Sequence, residues 1–251
     1  MEGVLTLGAA LLLACGGGTG PESGPPGVYR VLFIGNSLTY FNDLPGTVAR
    51  LGGMADVTIH VESVALPNLA VIDHVTGMSN AVATIQGGHW DYVVLQQGPT
   101  TTQIGRDTLI LAVRQLDPLI REAGGRPALL MVWPPSGNAD AFDAVRQSYQ
   151  QAADAVGGLF LPAGEAWRTV LAGRPDLPLY GLDGYHPAEL GTYLTALIVY
   201  EGITGLDARL LPHRAVVAAH PLVIPEVTTV LLQRVAHETV DRLAGALGSV
   251  R

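Results

Sequence analysis

A chain of 251 residues, 48% of them apolar, is long enough to bury a sizeable core in one α/β domain. Its formal charge of -8 and the lack of any basic cluster exclude a nucleic-acid-binding surface. The only cysteine, Cys15, excludes an intramolecular disulfide and a cysteine-rich metal site.

The first predicted element is an apolar run over residues 4–13. It is too short to span a bilayer and matches the hydrophobic region of an export signal. It ends Leu12-Leu13-Ala14-Cys15, which resembles a bacterial lipobox. That resemblance implies a signal peptide over residues 1–15, lipid on Cys15, and an exported protein anchored to a membrane of the cell envelope. The opening Met1-Glu2-Gly3 departs from the pattern, because it has no basic residue. The rival expectation is a buried N-terminal strand with a stray cysteine. Residues 16–27 are Gly- and Pro-rich and read as a flexible tether. At roughly 3.3 Å per residue it reaches up to about 40 Å.

From Val28 onward, short apolar runs alternate with longer amphipathic stretches, and residues 28–251 read as one domain. Strands are predicted over residues 29–34, 57–64, 92–95, 128–133 and 159–161. Leu44, Val48 and Leu51 keep helical spacing, as do Leu109, Val113, Leu116 and Ile120, with Pro118 a source of bending. Further helices are predicted over 141–156 and 163–171. Strand and helix taking turns implies a three-layer α/β/α, flavodoxin-like fold around a parallel sheet of about five strands. Ligands of such sheets bind at the carboxyl ends of the strands. In the last third, Pro187 is expected to start a helix with Leu190, Tyr193, Leu194, Leu197 and Ile198 inward, ending at Gly202 or Gly205. Pro225 is expected to start a final helix with Val227, Val230, Leu231 and Val235 inward.

Two motifs carry chemistry. The first strand runs into Gly35-Asn36-Ser37-Leu38-Thr39, followed by Asn42-Asp43-Leu44-Pro45, where Asp43 can cap a helix and Pro45 fits its first turn. A serine on a strand-to-helix turn presents its hydroxyl at the sheet's carboxyl edge, although Gly-Asn-Ser is also a common turn. The second motif is Asp183-Gly184-Tyr185-His186-Pro187. Its carboxylate can accept from one imidazole nitrogen while the other faces a serine. Read alone, it is equally a helix cap beside a surface histidine.

Together the two motifs resemble the SGNH (GDSL-type) hydrolase family over roughly residues 28–205. The flanks Asn42-Asp43-Leu44-Pro45, Leu179-Tyr180 and Gly191-Thr192-Tyr193-Leu194 fit one branch of it. The resemblance implies Ser37 as nucleophile, His186 as general base and then acid, and Asp183 as the residue orienting His186. It implies ester hydrolysis through an acyl-enzyme, with the Ser37 N–H as one oxyanion donor. Such donors are worth about 3–4 kcal/mol each. Where the family's second block usually offers a glycine N–H, this chain has Val64-Ala65-Leu66-Pro67-Asn68. Asn68 or a neighbouring backbone N–H is the candidate there. Where the third block usually brings an asparagine, the strand ends Gln96-Gln97-Gly98-Pro99. Gln97 is the first candidate and Gln96 the second, one of the two serving only the loop. Asn36 is expected to brace the turn.

His60, His74, His89, His213, His220 and His237 show no metal-ligand spacing, so neither a metal nor another cofactor is expected. Trp133 either lines the acyl site or covers core, and Trp167 and Tyr180 are open in the same way. Short loops and 6% aromatic residues favour a short acyl group, such as acetyl on carbohydrate. The expected partner is a small-molecule or glycan ester, with membrane contact through lipid alone. The same triad would serve a lipase, thioesterase or acyltransferase. A rival of another class is a carbohydrate-binding surface lipoprotein with a decayed site, supported by the missing glycine.

Overall fold

Strands β1 (Val28–Gly35), β2 (Thr58–Ala65), β3 (Tyr92–Leu95), β4 (Arg126–Leu130) and β5 (Leu159–Leu161) form one all-parallel sheet in the order β2-β1-β3-β4-β5. The structure is a computed structural model that describes Met1 and residues 27–219 and 224–244. The expected leader, Cys15, the tether short of Gly27, and His220 lie outside those residues. Val31–Ile34 in β1 and Val93–Leu95 in β3 are completely buried. Unbroken apolar runs like these belong to strands covered on both faces. The edge strand β2 instead leaves His60 and Glu62 in solvent, which suits an unpaired edge.

The covering helices are α1 (Ser37–Tyr40), α2 (Leu44–Met54), α3 (Val71–Val75), α4 (Ala81–Gly87), α5 (Gln103–Glu122), α6 (Phe142–Asp154), α7 (Ala163–Gly173), α8 (Glu189–Thr204) and α9 (Glu226–Ala244). This is the three-layer α/β/α fold expected. Helices α3 and α4 span about two turns or less, too few residues to show a period in sequence. Asp43 caps α2 by accepting from Gly46 N, and Pro118 is accommodated inside α5.

Three expectations are corrected. The fourth strand ends at Leu130 rather than Trp133: Met131 N makes a last bond to Leu161 O, and Pro134 and Pro135 beyond it have no N–H to extend the ladder. Helix α8 starts at Glu189, not Pro187. Pro187 pairs instead with Tyr180, and Gly181 N donates to His186 O while Ala188 N donates to Leu179 O. This short antiparallel hairpin consumes the residues that would have formed the helix's first turn. The helix continues through Gly202 to a left-handed Gly205 (φ 70°). A Cβ on Gly202 would sit 2.4 Å from Leu161 Cδ2, so glycine there lets α8 press onto the sheet.

The third correction concerns α9. Val227 and Val230 are 71% and 39% exposed, whereas Thr229, Leu232, Gln233, Val235 and Ala236 face inward. Gln233 Nε2 donates to Pro212 O (3.1 Å), and weaker contacts reach Leu211 O and Tyr193 Oη. Val235 is inward as expected, and the buried face turns from Val227 and Val230 toward Leu232 and Ala236, taking Thr229 and Gln233 with it.

Candidate active site

The turn after β1 is built from side chains that hold one another. A Cβ on Gly35 would lie 2.4 Å from Gln96 Oε1 and 2.5 Å from Thr39 Oγ1, so only glycine fits. Gln96 Oε1 accepts from Asn36 N (2.9 Å) and Thr39 Oγ1 (2.7 Å). Its Nε2 donates to Asn36 Oδ1 (3.0 Å) and Gln97 O (2.7 Å). Asn36 caps α1 by accepting from Leu38 N, and its Nδ2 donates to Leu69 O (3.0 Å). Beneath the turn, the buried His74 lies 3.0 Å from Gly35 O through Nε2. Ser37 is thus carried on a rigid corner, 8% exposed.

The second motif sits on the hairpin before α8, which is fastened to the chain leaving β4. Trp133 Nε1 donates to Tyr185 O (3.0 Å), Ser136 N to Gly184 O (2.9 Å), and Tyr180 Oη to Pro134 O (2.7 Å). Asp183 Oδ1 accepts from the N–H groups of Tyr185 and His186, both at 3.0 Å. Its Oδ2 lies 2.6 Å from His186 Nδ1, and His186 Nε2 lies 2.9 Å from Ser37 Oγ. The His186 bond and the backbone donors hold the Asp183 carboxyl down at about 2. An ionised Asp183 accepts a hydrogen bond from Nδ1–H, so in the neutral ring Nε2 is bare and can accept a hydrogen bond from the Ser37 hydroxyl. Phe41 stacks on the imidazole (centroids 4.1 Å apart, planes 14°), and Tyr185 meets it edge-on at 5.2 Å.

Ser37 opens onto a cavity of about 300 Å³ whose walls include Asn36, Asn68, Leu69, Gln97 and Tyr185. Among the described residues' hydrogen bonds, none uses the Ser37 N–H. Gln97 Oε1 accepts from Val71 N (3.1 Å) and its Nε2 donates to Thr100 Oγ1 (2.6 Å), leaving one amide proton. Gln96, the second candidate, spends both amide protons on the turn and is a brace. Asn68 stands exposed at the rim with a left-handed backbone (φ 62°). That is the conformation glycine adopts most readily and asparagine tolerates best among the others.

Sequence reasoning missed Tyr149, whose buried hydroxyl accepts from Gln97 N (3.1 Å) and donates to Gln97 O (2.5 Å). It lies on α6, 52 residues from its partner, and no local pattern marks it. Trp133 is core: it stacks on Trp167 at 3.5 Å, and Trp167 meets Tyr180 edge-on. Glu201 and Asp207, near the other end of α8, are joined by His237 from 36 residues beyond Glu201. Glu201 is engaged by His237 and Ala208 N, and Asp207 by the Arg209 side chain.

No family model matches the chain, and no curated protein matches it in sequence. Solved structures match it well. A protein assigned to the SGNH hydrolases from Slackia heliotrinireducens is 26% identical, with a TM-score of 0.59 over 70% of this chain and 99% of that one. A DUF4886 family protein from Bacteroides uniformis is 18% identical, with a TM-score of 0.71 over 85% of this chain and 95% of that one. A variant of Axe2, an acetyl xylan esterase from Geobacillus stearothermophilus, is 19% identical, with a TM-score of 0.55 over 70% and 94%. The fold is thus similar to that of the SGNH (GDSL-type) hydrolase among these structures, the family that the two motifs resemble.

Proposed function

We propose that this chain is a serine esterase that removes short acyl groups, acetyl on carbohydrate being the leading substrate class. The observation that carries the reading is the relay of 2.9 Å and 2.6 Å from Ser37 through His186 to Asp183. Ser37 loses its proton to His186 Nε2 as Oγ attacks the ester carbonyl. The oxyanion is received by the Ser37 N–H, the spare Gln97 amide proton and a donor at Asn68. His186 then protonates the departing alcohol, and water releases the acyl group by the same route. A cavity of about 300 Å³ supports a short acyl group rather than a long chain. Similarity to an acetyl xylan esterase favours acetyl. The left-handed Asn68 stands in for the missing glycine, which weighs against a decayed, purely binding site. Export and anchoring through Cys15 belong to the same proposal, supported by residues 4–15 and the tether behind them.

Labelling with a fluorophosphonate, with hydrolysis of model esters of increasing acyl length, tests this reading. Wild type should label and Ser37→Ala should not, with acetyl and butyryl esters turned over faster than octanoyl. Equal labelling of the two proteins, or of neither, would overturn the esterase assignment. Product analysis with an added alcohol separates hydrolysis from acyl transfer.

A further inference from the structure

Ser37 and His186 are carried by different parts of the fold, so neither part by itself sets the distance between them. Ser37 belongs to the corner braced by Gln96 and His74. The His186 hairpin is fastened to Trp133, Pro134 and Ser136, on the β4 side. Apart from the contact between Ser37 and His186, Asn42 is the one side chain of residues 36–43 whose hydrogen bonds reach this hairpin and α8, among the described residues; Tyr29 at the start of β1 contacts only Thr204 O at the far end of α8 (3.5 Å). Its Nδ2 donates one proton to Pro187 O (2.9 Å) and the other to Thr192 Oγ1 in the first turn of α8 (3.0 Å). Pro187 is the residue directly after His186. Asn42 does this from a left-handed backbone (φ 53°, ψ 19°), followed by a second left-handed residue, Asp43 (φ 52°). Two such residues in succession persist only where the surroundings over-determine them, and such strain gathers at functional sites. Phe41, one residue earlier, lies flat on the imidazole.

We propose that Asn42 is a positioning residue for the reaction: it latches the His186 hairpin to the nucleophile segment and sets the imidazole at proton-transfer distance from Ser37. Asp183 orients the ring, whereas Asn42 sets its separation from the hydroxyl. The inference rests on the esterase reading above.

Asn42→Gly tests it most directly, because glycine adopts the same backbone without penalty while both donors vanish. Misplacement of reacting groups by about 1 Å costs about 100-fold in rate. In Asn42→Gly, kcat on a short-chain ester and the rate constant for fluorophosphonate labelling should therefore fall together by about 10- to 100-fold, with KM little changed. Thr192→Val removes one of the two acceptors at constant volume and should cost about fivefold. Thr192→Ser, which keeps the hydroxyl, should restore the wild-type rate. If Asn42→Gly does not fold, the Thr192 pair decides alone. Wild-type labelling rates in Asn42→Gly, or a loss seen in KM rather than kcat, would overturn the latch. So would equal rates in Thr192→Val and Thr192→Ser. If wild type itself fails to label at Ser37, the esterase reading falls and the latch falls with it.

Discussion

Asp183 is half exposed, yet it accepts three hydrogen bonds, from His186 Nδ1 and two backbone N–H groups. Replacing it with asparagine keeps the shape and an oxygen for the backbone donors, but sets an amide nitrogen or a neutral oxygen against the imidazole. The tautomer that leaves Nε2 bare is then no longer favoured. Asp183→Asn should lower kcat by about 10,000-fold, the scale of a triad carboxylate amidated in place, with the melting temperature nearly unchanged. Turnover close to wild type would remove Asp183 from the relay. Because its carboxyl is held at about 2, its charge persists below the usual carboxylate range near about pH 4. The sign follows from that depression: whatever the ionised form contributes is present above the ordinary value and lost only as pH falls toward the folded-state one. The acid side of the pH–rate profile should therefore show no carboxylate step near about pH 4. A step there would place Asp183 in an ordinary carboxylate environment.

At the scale of elements, α3 supports the Ser37 corner through His74, which is fully buried. Gly35 O only accepts, so Nε2 carries the proton, and Nδ1 faces Ser79 Oγ at 2.8 Å. Burial pushes the imidazole below its usual pKa, opposed by the backbone bond to Gly35 and by nearby Asp73. As pH falls, the unfolded chain therefore takes up this proton first. The stability due to His74 is complete above about pH 6.5 and is lost as pH falls from there through the folded-state value. The melting-temperature gap between wild type and His74→Gln should narrow from about pH 7.5 to about pH 5, a window that brackets the ordinary histidine value; parallel curves would exclude His74 as the source. Helix α9 offers a second check on element packing. Leu232 is completely buried, so Leu232→Ala should cost about 2–5 kcal/mol in denaturant unfolding. Val227→Ser, on the exposed side, should stay within about 0.5 kcal/mol of wild type. The reverse order would return α9 to the face that its valines suggest.

At the scale of the whole molecule, the strand order β2-β1-β3-β4-β5 reverses direction between the neighbours β1 and β3, because the chain crosses from β2 over β1 to reach β3. Ligand sites of open α/β sheets form at such switch points. Ser37 follows β1 and Gln97 follows β3, and their strands end in register, with Ile34 beside Leu95. The hairpin after α7 brings His186 across 149 residues to the same edge. The sequence by itself determined the five strands, most of the helices and the two motifs. Each of these rests on local order: an apolar period, a cap, or a turn residue within a few positions. Only the tertiary structure decided that Gln96 is spent on the Ser37 turn while Gln97 keeps one amide proton unused among the described residues. It alone decided that Pro187 pairs in a hairpin, that α9 buries Gln233 in place of Val230, and that Asn42 joins the two halves of the site. Apart from the hairpin, whose pairs are close in sequence, those outcomes depend on which donor meets which acceptor across tens of residues or more, and such hydrogen bonds leave no period in the chain.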